Sequence, residues 1–138
     1  MGGCNRLLNQ FQYTYEKDSV TVYGSVTFGA AGAVASFQGG GVLSVTKVAA
    51  TTGQYLITFD DQFTRLLFPA FTVVNDALTV VAQVQLFQEA STLQADVTNN
   101  KAFIVACSDF AGAAVDPDDG AQIMFKVAFR RTDVGPFD

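Results

Sequence analysis

Asp60-Asp61 and the run Asp116-Pro117-Asp118-Asp119, with Asp109 upstream, are the densest groupings of reactive side chains in the chain. Two carboxylates flanking a bond can share acid and base work, as in glycoside hydrolysis. Several carboxylates gathered together can hold a hard cation such as Ca2+. The spacing of a helix-loop-helix calcium site is absent. Aspartates beside Pro and Gly are first of all turn formers whose side chains bond nearby backbone. No catalytic residue, metal ligand set or cofactor is therefore assigned, and the chain reads as non-enzymatic.

Other residue types narrow the chemistry further. There is no histidine, which removes Ser-His-Asp and Cys-His arrangements and most zinc sites. Cys4 and Cys107 lack a CxxC partner. Cys107 sits in the apolar run Ala102 to Cys107 and reads as a buried thiol, while a disulfide to Cys4 stays open. Gly39-Gly40-Gly41 lacks the Lys-Ser/Thr that follows a phosphate loop and reads as a turn. Tyr13, Tyr15, Tyr23 and Tyr55 are able to stack on a sugar or base. Without basic residues between them, core or interface roles fit better.

The elements that carry these residues are strands. Ile123, Phe125, Val127 and Phe129 alternate with Met124, Lys126, Ala128 and Arg130, a period of two that gives one apolar face. Val20, Val22, Val26 and Phe28 alternate in the same way with Thr21, Tyr23, Ser25 and Thr27. Further strands are predicted over 33–37, 42–48, 55–59, 71–75, 78–88, 92–98 and 102–107. Asn75-Asp76 and Asn99-Asn100 read as hairpin turns. Asp60 as a cap and the spacing of Phe63, Leu66 and Leu67 predict a short helical turn near 61–67, ended by Pro69. The expected fold is all-β: an antiparallel two-sheet sandwich, jelly-roll-like, plugged at one end by that turn.

Bulk properties set the frame. A chain of 138 residues suits one domain, which buries roughly two-thirds of its unfolded surface. The expected division is an arm over 1–19, a sandwich over 20–131 and a tail over 132–138. Charged residues make up 15% of the chain and apolar ones 49%, against about 25% charged in ordinary soluble domains. Such a surface is either an amply filled core showing through or a face that a partner covers. The net charge of −5 argues against direct nucleic-acid binding and against an anionic membrane surface. No run has the length of a membrane span, and the first residues do not read as a secretory signal.

Three segments carry a family resemblance. They are Gly24-Ser25-Val26-Thr27-Phe28-Gly29 with Gly32-Ala33-Val34; Gly41 to Lys47 with Gly53-Gln54-Tyr55-Leu56-Ile57-Thr58-Phe59; and Asp116-Pro117-Asp118-Asp119-Gly120 leading into Ile123 to Arg130. Together, over about residues 20–131, they resemble small β-sandwich structural proteins of tailed bacteriophages, including head decoration or cement proteins. The resemblance implies a virion protein on the outer surface of the head, made in the cytoplasm of a bacterial host. It implies the major capsid protein as partner and a homo-oligomer, with a trimer favoured. The contact residues expected for such a role lie outside the regular strands: Arg6, Leu7, Leu8, Phe11, Tyr13 and Tyr15 in the arm, and Arg130, Arg131 and Phe137 in the tail. The alternative is a receptor- or glycan-binding jelly-roll head of a fibre or tail, because the Gly53-x-Tyr55 strand is also loosely similar to trimeric heads of the C1q/tumour-necrosis type.

Overall fold

A computed structural model describes residues 19–75, 81–89 and 91–130. The elements in chain order are β1 (Ser19–Phe28), a 3-10 turn (Ala30–Gly32), β2 (Val34–Gln38), β3 (Val42–Lys47), β4 (Gln54–Phe59), β5 (Arg65–Val74), β6 (Gln83–Leu86), α1 (Leu93–Asn100), β7 (Ala102–Ser108) and β8 (Gln122–Arg130). They form two four-stranded sheets, β2-β1-β8-β5 and β3-β4-β7-β6, and every pairing is antiparallel. The first and last strands lie side by side within one sheet, and the chain crosses repeatedly to the other. The expected antiparallel two-sheet sandwich is therefore present, but successive strands β1–β2, β3–β4 and β6–β7 pair within one sheet rather than alternating between sheets as in a jelly roll.

Alternation places the core where the sequence put it. Val22, Val26 and Phe28 of β1 and Ile123, Phe125, Val127 and Phe129 of β8 are buried against Tyr55, Ile57 and Phe59 of β4 and Phe103, Val105 and Cys107 of β7. Gly24 falls on the inward face of β1, opposite Phe125. A Cβ there would lie 2.3 Å from the Phe125 ring, so the missing side chain is the space the ring fills. No polar or charged residue among those described is fully buried.

The helix is not where it was expected. Residues 61–67 hold no helical turn: Asp60 and Asp61 are exposed in a bend, and β5 begins at Arg65. Phe63 instead turns inward and stacks on Phe129 at 4.2 Å, while the Thr64 N–H donates to the Arg130 carbonyl at 2.9 Å and extends the ladder. Helical spacing of three apolar residues was matched equally well by an inward Phe, a strand and a bulge between Leu66 and Phe68. Pro69 does not end an element either. It sits within β5, at the edge of its sheet, where a missing N–H directed away from β8 interrupts no ladder.

Residues 93–100, expected as a strand and hairpin turn, form α1. Leu93 and Val97 lie four apart on one helical face, and Val97 is buried. The Gln94 amide holds both backbone groups of Leu66, at 2.8 and 3.0 Å, and the Thr98 hydroxyl donates to the Thr64 carbonyl at 2.9 Å. This helix, not the 61–67 segment, packs over the start of β5. The 71–75 and 83–86 strands are not a hairpin, because β5 pairs with β8 and β6 with β7. Within the described part of the expected 78–88 strand, β6 spans Gln83–Leu86; residues 76–80 lie outside the described set.

Four rings close this end of the core. Phe59 meets Phe129 edge-on at 4.8 Å, Phe103 at 5.3 Å and Phe63 at 6.5 Å. Each buried Phe contributes about 1.5–3 kcal/mol by removal from water, and each ring pair about 0.5–1.5 kcal/mol more. Phe59→Ala is expected to lower stability by about 3–5 kcal/mol, read as a drop in the urea midpoint. A loss below about 1 kcal/mol would mean that the ring cluster does not close the core.

Candidate functional site: the outward sheet faces

A cluster of charged and polar groups lies at the end of the sandwich opposite the ring cluster. Asp116 Oδ1 accepts the Gly53 N–H at 2.7 Å, and Oδ2 pairs with Lys47 Nζ at 2.8 Å. The same ammonium donates to the Ala31 carbonyl at 3.2 Å. The Tyr55 hydroxyl donates to the Gly32 carbonyl at 2.6 Å, and its ring lies 4.8 Å from Phe28. Partial burial alone would raise the Asp116 pKa. The Lys47 hydrogen bond, the Gly53 N–H and the Lys47 charge outweigh it and hold the carboxyl below its ordinary value.

Beneath this carboxylate, burial pushes the Cys107 thiol up to about 12, helped by the Asp116 charge. Burial, then the charges of Asp116 and Cys107, likewise raise the Tyr55 hydroxyl above its ordinary value. Neither group is a nucleophile near neutral pH. Asp109 accepts the N–H groups of Ala111 and Ala113 at 2.9 and 3.0 Å, and Asp118 and Asp119 are exposed. Among the described residues no three Asp, Glu, Cys or His side chains converge on a metal position. The Asp109 and Asp116 carboxylates hold loop backbone in place.

The outward faces offer more. Register places Tyr23 beside Lys126 and Ala70, Ser25 beside Met124 and Thr72, and Thr21 beside Ala128 and Phe68. Away from its rim this face of the β2-β1-β8-β5 sheet carries one formal charge among the described residues, Lys126. Its ammonium lies 5.6 Å from the centroid of the Tyr23 ring, a cation–π distance that partly masks it. Tyr23 is 62% exposed, Phe68 65% and Met124 47%. Tyr23 and Met124 form a ridge bordered by an open hollow of about 460 Å3 toward Gln38 and Gly39 and another of about 200 Å3 toward Ala70 and Thr72. An apolar ridge between two hollows has the relief that a protein partner can interlock with.

Of the contact residues expected from sequence, Arg6, Leu7, Leu8, Phe11, Tyr13, Tyr15, Arg131 and Phe137 lie outside the described residues. Arg130 is described: it ends β8 in register with Ser19 and Arg65, and its side chain is half-buried. Apart from Tyr23, given a core or interface role, the outward aromatic and Met residues were not expected as contacts. Their signal was their phase, since Tyr23 and Met124 are large apolar groups on the side of their strands away from the core. Among the described residues no helix is long and apolar enough to cross a membrane.

The Asp116 anchor is open to a direct test. Its folded-state pKa is depressed, so its contribution is fully present above the unfolded value of about 3.9 and is lost as pH falls through the lower folded value. Asp116→Ala is expected to cost about 2 kcal/mol at pH 7, because the Gly53 N–H and the Lys47 ammonium lose their acceptor. Thermal unfolding should show the gap between parent and variant narrowing as the solution is taken below about pH 4; a pH-independent gap would remove the charge from the explanation. Comparison of the chain with known protein families, with curated proteins and with solved structures returned no match.

Proposed function

We propose that the protein is a non-enzymatic coat component, a decoration protein that binds the assembled head of a tailed phage and reinforces it. The observation that carries this reading is the outward face of the β2-β1-β8-β5 sheet, where Tyr23, Met124 and Phe68 stand exposed with one partly masked charge among them. Large apolar groups held out on a stiff sheet gain when a partner covers them, by about 25 cal/mol for each Å2 removed from water. The relevant partner is the major capsid protein, and the segment resemblance described above supplies that assignment. A trimer at a threefold position of the shell would present three such faces, and simultaneous contacts would add avidity. The arm over 1–19, Arg131 and the tail over 132–138 would contribute further contacts, through Leu7, Leu8 and Phe11 in the arm and Phe137 in the tail. The location that follows is the outer surface of the virion head.

Two measurements test this. Quantitative mass spectrometry of purified virions should find the chain in a simple ratio to the major capsid protein, at hundreds of copies. Absence from particles, or a handful of copies, would overturn the head assignment. Tyr23→Glu with Met124→Glu is expected to weaken binding to assembled heads by about a hundredfold or more, because central interface residues carry about 2 kcal/mol or more each. Both side chains are outward, so the fold should survive. Unchanged co-sedimentation with heads would remove this face from the contact.

A further inference from the structure

The opposite face of the sandwich has a different chemistry. Along β7 the outward positions are Ile104, Ala106 and Ser108, a row of mostly small groups. Register places Gln54 of β4 on one side of Ala106 and Gln85 of β6 on the other. With strands about 4.8 Å apart, the two glutamines stand about 10 Å from each other at the backbone and wall a furrow. The Gln83 amide donates to Gln85 Oε1 at 3.1 Å, which orients that wall.

Toward α1 the furrow opens into a hollow of about 590 Å3 lined by Gln54, Phe87, Gln88, Glu89, Asp96 and Ile104. Its wall is held in place. Gln88 Nε2 donates to the Asp96 carboxylate, and Gln88 Oε1 accepts the Ile104 N–H at 3.3 Å. Asn100 donates to the other Asp96 oxygen at 3.1 Å. Phe87, bonded through its N–H to the Ile104 carbonyl at 2.8 Å, leaves about half its surface exposed at the rim. The Gln54 amide makes no side-chain hydrogen bond to another described residue.

We infer that this furrow binds an uncharged oligosaccharide. An amide both donates and accepts, as a sugar hydroxyl does, so Gln54 matches a hydroxyl in either sense. A half-exposed Phe ring offers the apolar platform on which the C–H face of a sugar ring packs. Asp96 and Glu89 accept from hydroxyls but repel uronate, sialate or phosphate groups, and among the described residues no Lys or Arg lines the hollow to offset them. The volume falls within the range of about 300–1,000 Å3 seen for small-ligand sites. The furrow lies on the sheet opposite Tyr23 and Met124, so a glycan and a protein partner do not compete for the same surface.

The test is an array of neutral and acidic oligosaccharides probed with the full chain, followed by titration of the strongest neutral hit. The expected result is binding to neutral glycans and none to the acidic set. Phe87→Ala and, separately, Gln54→Ala should each weaken the titrated interaction about tenfold or more, with the melting temperature unchanged. Tyr23→Glu should leave it intact, which separates this site from the capsid-contact face. Absence of any neutral hit, binding to acidic glycans alone, or a neutral hit that both furrow variants bind as tightly as the parent would each overturn the inference.

Discussion

One carboxylate organises an entire end of this sandwich. Asp116 lies in the long connection between β7 and β8, yet it accepts the N–H of Gly53 in the β3–β4 turn and pairs with Lys47 at the end of β3. Lys47 in turn reaches the carbonyl of Ala31 between β1 and β2. A crossing topology leaves such turns separated in sequence, and one acceptor ties them together. The local glycines follow from that closeness. A Cβ on Gly32 would meet Asp116 at 2.6 Å, and one on Gly53 would meet the Val115 carbonyl oxygen at 2.6 Å; both residues also have positive φ. The pair is only partly buried, so its value lies less in Coulomb energy than in the unpaired Gly53 donor that its loss would leave.

The opposite end is closed by an apolar device. Phe59, Phe63, Phe103 and Phe129 fill the space between the sheets, and α1 covers the start of β5 by giving its Gln94 amide to both backbone groups of Leu66. That amide stands in for a neighbouring strand at the start of the β5 edge. With a polar clasp at one end and a ring cluster at the other, the two sheets form a stiff support. What the protein presents to partners is then set by side chains that the core does not need.

Those outward side chains divide by sheet. One face is apolar and nearly uncharged, with Tyr23 and Met124 raised between two hollows and Phe68 also exposed. The other has small residues along its middle, glutamines beside them and an aromatic rim. Covering the first with protein returns hydrophobic free energy. The second has too many amides for a dry interface and suits hydroxyl groups. Low overall charge, visible in the composition, is thus distributed into two surfaces of different chemistry.

By itself the sequence determined the class and most of the strands. Alternation over 20–28, 55–59 and 123–130 assigned the correct residues to the core, because a two-residue period survives any choice of neighbour. The Asp116 to Gly120 turn was equally plain from its Pro and Gly. Local pattern failed where two periods coincide. Phe63, Leu66 and Leu67 fit a helical turn as well as they fit an inward ring and a bulged strand, and Leu93, Ala95 and Val97 alternate although they lie on a helix. Only packing separated these readings: Phe63 found Phe129, and Gln94 found Leu66. The candidate surfaces needed tertiary structure for the same reason. Tyr23 adjoins Lys126, and Gln54 faces Gln85 across Ala106, through strand pairings between distant parts of the chain. No local period encodes those pairings; burial of the inward faces decides them, and the outward neighbours follow.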